Sequence, residues 1–290
     1  MRNDLLTRIE ECLPLFSKGQ KRIAAYIAEH YDKAAFMTAL RLGETVGVSE
    51  STVVRFATEI GFEGYPQLQR ALQEMIRNRL TSVQRMEVAS ERLQNADVLQ
   101  KVLQTDVESI KKTLEESDRA AFDGAVSKLI AARRLYIIGI RSSAALAAFT
   151  SYYFTQIFSD VRNVDTASTS GIFEQLLRIG TGDVLLCITF SRYSRRTLKA
   201  AEFAKASGAM VIAITDSLQA PIAAVADEIL VAKSDMASFV DSLVAPLSLI
   251  NALIVAIGLQ RKEEIANTYA RLETIWDDYN VYEKGEENID

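Results

Sequence analysis

The chain has 290 residues, of which 49% are hydrophobic and 24% charged, with a net charge of −5. That length and composition suit two globular domains with ordinary cores and exclude disordered, collagenous and disulfide-stapled classes. Cys12 and Cys187 are the only cysteines and His30 the only histidine, which implies a reducing compartment and removes most histidine-built metal and acid–base sites.

Residues 1–11 are polar and acidic and lack the apolar run of a signal peptide, so a cytoplasmic protein is expected. The acidic total is unevenly divided. Residues 1–80 hold 11 Lys/Arg against 10 Asp/Glu, leaving 22 against 28 for the rest. A near-neutral head on an acidic body permits DNA binding without demonstrating it.

Along the head, Ser17-Lys18-Gly19-Gln20 has the S-x-x-Q form of a capping box, which predicts a helix start. The helix that follows would place Ile23, Ile27 and Tyr31 on one face. Thr38 can cap a short helix, Gly47 can turn the chain, and Ser49 can cap a second helix from Glu50 to Ile60. At about 100° per residue, Val53, Val54, Phe56, Ala57 and Ile60 gather on one side of that helix. Ser51, Thr52, Arg55, Thr58 and Glu59 gather on the other. Short hydroxyls and one arginine let such a face approach a major groove closely. Gly43 stands where the two helices must cross, with Leu42, Val46 and Val48 filling the angle. The same pattern also fits an αα-hairpin of an ordinary helical domain.

Residues 19–72 resemble the N-terminal domain of RpiR-type regulators. The resemblance is carried by Gly47-Val48-Ser49-Glu50-Ser51-Thr52-Val53-Val54-Arg55-Phe56 and by Gly61-Phe62-Glu63-Gly64-Tyr65-Pro66-Gln67-Leu68. It implies a helix-turn-helix with Ser49, Ser51, Thr52 and Arg55 at the DNA. It also implies phosphate contacts from Lys18, Gln20 and Lys21.

Residues 81–107 are polar and helical in character and read as a connector. Beyond residue 108 short apolar runs alternate with helical stretches: 135–138, 161–164, 184–189, 210–215 and 229–232. That alternation predicts a five-stranded parallel, flavodoxin-like αβα sandwich, whose ligands bind beyond the carboxyl ends of the strands. The expected organisation is an all-helical head over 1–78, a connector over 79–107 and an α/β domain over 108–290. The apolar stretch 239–259 is interrupted by Asp241, Pro246 and Asn251, which favours a buried helix over a membrane span. A final helix over 263–280 carries a stripe of Ile265, Tyr269, Leu272 and Trp276, a core or dimer surface.

Two strand-to-helix turns could hold an anion. The first reads Gly139-Ile140-Arg141-Ser142-Ser143-Ala144, a glycine turn onto a helix N-terminus. Only the first glycine of G-x-G-x-x-G is present, which disfavours NAD. The second runs from Thr189 to Thr197, with hydroxyls at Thr189, Ser191, Ser194 and Thr197. Helix capping by Ser191 or Ser194 is the plainer alternative. Residues 120–258 resemble the sugar isomerase (SIS) domain, which implies phosphosugar binding by Ser142, Ser143, Thr189, Ser191 and Ser194. The chain departs from that pattern at Arg141 and Arg192, where glycine is usual. An arginine at either place narrows the pocket or adds a cation.

Aldose–ketose chemistry calls for a Glu base with a His or Lys partner, and residues 108–290 contain no His. Glu174, Glu202, Lys233 and Asp235 are the remaining candidates, with no evident pairing. The reading is therefore a regulator, not an enzyme, with no cofactor, whose partners are operator DNA and a phosphosugar. A homodimer or homotetramer through the α/β domains is expected. A phosphosugar isomerase or lyase with a DNA-binding appendage is the alternative.

Overall fold

The computed structural model describes residues 5–79, 83–84, 86, 97–234 and 240–282. Much of the expected connector, together with Asp235 and Phe239, lies outside them. The chain forms two compact units.

The first unit is helical: α1 (Leu5–Cys12), α2 (Lys18–Glu29), α3 (Tyr31–Ala34), α4 (Ala39–Val46), α5 (Glu50–Glu59) and α6 (Tyr65–Arg79). Its core joins Ile23, Ile27, Leu42, Val53, Phe56 and Leu68, all fully buried. The rings of Phe16 and Phe56 meet at 5.0 Å. The carbonyls of the loop between α3 and α4 are satisfied from α6. Tyr65 Oη donates to Met37 O at 2.8 Å, Gln69 to the same oxygen at 2.7 Å and Gln73 to Ala35 O at 2.9 Å. Burial pushes the Tyr65 hydroxyl up to about 12, so it remains a donor.

Thr38 caps α4 through Arg41 N at 3.2 Å, and Gly47 ends it with a left-handed φ of 69°. A side chain at Gly43 would lie 2.8 Å from Val48 O, so only glycine lets α5 pass this closely. Val54 does not join the apolar face as the wheel suggests; it is 39% exposed. The neighbouring helices cover the stripe through Val53, Phe56, Ala57 and Ile60, and Val54 lies beyond its edge.

The second unit holds α7 (Val98–Glu116, from Val102 onward), α8 (Arg119–Ala131), β1 (Arg134–Gly139), α9 (Ser143–Ile157), β2 (Val161–Asn163) and α10 (Thr169–Leu176). It continues with β3 (Asp183–Ile188), α11 (Arg195–Ala206), β4 (Met210–Thr215), β5 (Glu228–Val231), α12 (Val244–Gln260) and α13 (Lys262–Asp278). All five strands are parallel, in the order β2-β1-β3-β4-β5. The five expected strands are therefore present within a residue or two at each end. Alternate residues of β3 enter opposite cores: Val184, Leu186 and Ile188 one, Leu185 and Cys187 the other. Helices cover both faces, which is why every residue of β3 is buried. Burial also raises the Cys187 thiol far above its usual range, which keeps it protonated and inert.

At the amino end of β3 the buried Asp183 carboxylate accepts from Arg133 at 3.0 and 3.1 Å, from Arg134 Nε at 3.2 Å and from Gly180 N at 3.0 Å. Burial pushes this carboxyl up, but the two guanidiniums and the amide outweigh it and hold it below the usual carboxylate range.

The long apolar helix begins at Val244, not near 239, with Pro246 in its first turn, where the missing N–H costs nothing. It buries Leu249, Ile250, Leu253 and Ile257. Among the described residues no single helix is long and apolar enough to cross a membrane. In α13 the stripe of Ile265, Tyr269, Leu272 and Trp276 is half-buried.

Candidate functional site

In the head, the capping box predicted at α2 is present. Ser17 Oγ accepts from Gln20 N at 3.4 Å, and Gln20 Oε1 accepts from Ser17 N at 2.9 Å. The other end of the Gln20 amide donates to Glu59 at the end of α5. Gln20 is thus largely buried and engaged at both ends, and it fixes α2 against α5. Lys18 and Lys21, on the same turn, are exposed.

Ser49 sits at the N-cap position of α5 but makes no cap hydrogen bond. Its hydroxyl lies 2.9 Å from both Ser51 Oγ and Thr52 Oγ1, forming an exposed hydroxyl cluster. One turn on, Arg55 is exposed and folds back so that Nε donates to Ser51 O at 3.3 Å. The starts of α2 and α5 enclose a concavity of about 590 Å³ lined by Ser17, Gly19, Gln20, Val48, Ser49, Thr52, Arg55 and Glu59. Arg22, which the pattern reading passed over, donates to Gly47 O at 3.2 Å and ties α2 to the turn. Its place one helical turn beyond Lys18 was the available signal.

In the second unit, β1 and β3 are neighbours with Gly139 opposite Ile188, so the turns that follow them leave the same edge of the sheet. The chain turns to β2 on one side of β1 and to β3 on the other, and crevices at such switch points are where ligands bind in open α/β sheets. A side chain at Gly139 would meet Ser143 O at 2.3 Å, which explains the glycine. Arg141 follows with φ 61°, and Ser142 begins α9 with no cap hydrogen bond. Ser143 is buried.

In the second turn Thr189 is buried and its N–H continues the ladder to Ile214 O at 3.0 Å. Arg192 has φ 62°. Ser194 caps α11 through Thr197 N at 3.4 Å, the plainer of its two expected roles. Thr197 itself is fully buried with no partner for its hydroxyl, inside the helix rather than on the turn. Asp216, just past β4, was not foreseen. It accepts from Ser191 N at 3.2 Å and from Tyr193 Oη at 2.8 Å, holding the turn in shape. An acidic residue directly after the apolar run 210–215 was the signal for it.

The candidates for catalysis are scattered. Glu174 and Glu202 are exposed on α10 and α11, Lys233 pairs with Glu116 at 2.5 Å, and Asp235 lies outside the described residues. Among the described residues no group of three His, Cys, Asp or Glu side chains could hold a metal.

The helix-turn-helix domain of the rpiR family matches residues 3–79, and the SIS domain matches residues 128–256. The chain belongs to the RpiR family of transcriptional regulators. It is 25% identical over 215 residues to the HTH-type transcriptional regulator HexR of Pseudomonas aeruginosa, covering 73% of each chain. To an HTH-type transcriptional regulator of Haemophilus influenzae it is 26% identical, over 91% of this chain and 92% of that one. Among solved structures, NanR of Vibrio vulnificus complexed with ManNAc-6P shares the fold with a TM-score of 0.59. It is 20% identical and matches over 95% of this chain and 98% of its own. The sugar isomerase domain of an RpiR transcription factor from Sphaerobacter thermophilus gives a TM-score of 0.56 at 25% identity, over 60% of this chain and 96% of that one. The Arg141 and Arg192 departures stand out within an RpiR-type SIS domain, since both occupy backbone conformations that suit glycine.

Proposed function

We propose that this RpiR-type regulator binds operator DNA through α5 and that a phosphosugar held at the turns after β1 and β3 sets its affinity for that DNA. The observation that carries the reading is the pairing of two candidate surfaces in one chain. An exposed hydroxyl–arginine face lies on the second helix of a helix-turn-helix, and two anion-competent turns lie at the switch point of a SIS fold. Phosphosugar binding is supported by the ManNAc-6P in the NanR structure.

At the DNA, Ser49, Ser51, Thr52 and Arg55 make the groove contacts, and Lys18 and Lys21 meet phosphates. At the sugar site, Ser142, Ser143, Thr189 and Ser191 supply hydrogen bonds, with Ser194 shaping the turn and Arg141 and Arg192 supplying charge. The domains divide as a head over 1–78, a connector over 79–107 and the SIS domain from 108. Dimers formed through the SIS domains bring two heads to two half-sites, and a ligand that prefers one arrangement shifts DNA affinity by its differential binding.

The protein binds its sugar without transforming it. Among the described residues the candidate groups stand apart, with Glu174 and Glu202 exposed on separate helices and Lys233 paired with Glu116. It acts in the cytoplasm without a cofactor, in keeping with its regulator relatives.

Gel shifts on the gene's own upstream DNA, with and without a phosphosugar panel, test the reading. At least one phosphosugar changes the apparent Kd, and Ser191→Ala moves that response to several-fold higher ligand, as loss of a hydrogen bond of about 1 kcal/mol requires. DNA binding indifferent to every phosphosugar would remove the effector half of the proposal.

A further inference from the structure

We infer that Glu59, at the end of α5, reads a cytosine in the major groove. This rests on the reading of α5 as the DNA-contacting helix and specifies what its last turn recognises.

A DNA duplex carries one negative charge per about 1.7 Å of its axis, so a carboxylate on a DNA-facing surface weakens binding to every sequence alike. Glu59 is exposed on just such a surface. It stands four residues after Arg55 and seven after Thr52, which puts the three on one face of α5. The same three line the concavity between α2 and α5, together with Ser49. Among the described residues no lysine or arginine neutralises the acid. Its Oε2 accepts from the neutral amide of Gln20, and Arg55, one turn earlier, turns its Nε to Ser51 O.

Gln20 fixes how this carboxylate is presented. The amide oxygen of Gln20 accepts from Ser17 N at 2.9 Å in the capping box of α2, which sets the direction of its Nε2 toward Glu59. A carboxylate anchored through one oxygen loses less side-chain freedom when it binds. Its other oxygen keeps its acceptor capacity.

The groups that can donate to that oxygen form a narrow set. Phosphates repel it, and guanine N7 and O6 and thymine O4 are acceptors themselves. In the major groove the donors are the exocyclic amino groups of cytosine and adenine. Adenine sets its N7 acceptor beside that donor, which opposes a carboxylate, whereas cytosine presents N4–H without one. Cytosine is the match. The acid lowers affinity for DNA in general and regains it where this base stands, so its contribution is discrimination. The plainer role for Glu59 is a clip that holds α2 on α5 through Gln20, and the two roles differ in what they do to base preference.

Selection of bound duplexes from a randomised pool by the full-length protein, read by sequencing, separates them. The parent should enrich sites with at least one position at which cytosine is preferred. Glu59→Gln keeps an acceptor for Gln20 and removes the charge, and a glutamine is suited to adenine N6 and N7. Preference at that position should move toward adenine, with the cytosine-to-adenine ratio falling roughly fivefold or more, as one base contact requires. Binding of this variant to a duplex without the site should tighten about twofold at low salt, since a repulsive charge is gone. Its melting temperature should stay with the parent's. Glu59→Ala should flatten the same position without favouring adenine.

A clip alone would lower the melting temperature of Glu59→Gln and weaken all duplexes together, with base preferences unchanged. That pattern, a parent site without such a cytosine, or identical preferences in parent and Glu59→Gln overturns the inference and leaves α5 as the DNA-binding helix. If the parent enriches no sequence at all, the role of α5 in reading DNA falls, and the inference with it.

Discussion

Ser49, Ser51, Thr52 and Arg55 lie within the first two turns of one helix, whereas Ser142 and Ser191 are separated by α9, β2, α10 and β3. The latter reach one edge of the sheet only because β1 pairs with β3. The first surface is a property of a local pattern and the second of topology. The difference predicts that damage to the two can be separated, and that the most severe damage comes where backbone, not side chain, is touched.

The largest expected effect is Gly43→Leu. The added Cβ meets the backbone oxygen of Val48 at 2.8 Å and cannot be relieved by a rotamer change. A loss of about 3–4 kcal/mol is expected, within the range for strain in a packed core. The head's melting transition should fall and DNA binding disappear, while phosphosugar binding survives. Loss of both functions would mean that the two units do not fold independently. Arg55→Ala should follow with about 1–3 kcal/mol, seen as a roughly tenfold to hundredfold weaker specific Kd in gel shifts if the side chain contacts a base bidentately. Its affinity for phosphosugar should not change.

The same contrast explains how much the sequence could reveal. The five strands announce themselves as apolar runs because both faces of a parallel sheet are covered, so periodicity is unnecessary. Gly43, Thr38 and Gly47 are legible because each answers a backbone requirement. Gln20 exposes a conflict inside the sequence reading. A capping box and a phosphate both call on its side chain, and in the packed head the amide engages Ser17 N and Glu59. Asp216 was missed because no local pattern links it to Ser191, 25 positions earlier; only the β3–β4 pairing does so. Val54 was misplaced because a wheel marks an apolar arc but not its covered width.

A third test turns on pH. Asp183 has its carboxyl pulled below the ordinary range by Arg133, Gly180 N and Arg134, against the upward push of burial. A carboxylate depressed in the folded state stabilises above its unfolded pKa, and that stabilisation is lost as pH falls through the folded value. Asp183→Asn should therefore cost about 1–2 kcal/mol near neutrality, after discounting for the exposure of Arg133. The gap from the parent should close on acidification below about pH 4, the usual range for a carboxylate in an unfolded chain. The head's melting should be unaffected. A gap independent of pH would show that packing, not charge, holds the start of β3.

The smallest effects give the sharpest comparison, because they concern serines that look alike in sequence. Ser17 and Ser142 each immediately precede a helix. Ser17 is extended, with ψ 165°, and caps α2; Ser142 is already helical, with φ −58° and ψ −34°, and makes no cap hydrogen bond. Ser17→Ala should thus destabilise the head by about 1 kcal/mol, the usual cost of losing an N-cap. Ser142→Ala should change the stability of the SIS domain by less than about 0.5 kcal/mol, as at positions away from caps and cores, yet weaken phosphosugar binding. Denaturant unfolding and ligand titration measure the two quantities separately. If Ser142→Ala destabilises as much as Ser17→Ala and leaves ligand affinity alone, its hydroxyl is structural. The anion site would then have to be carried by the turn after β3.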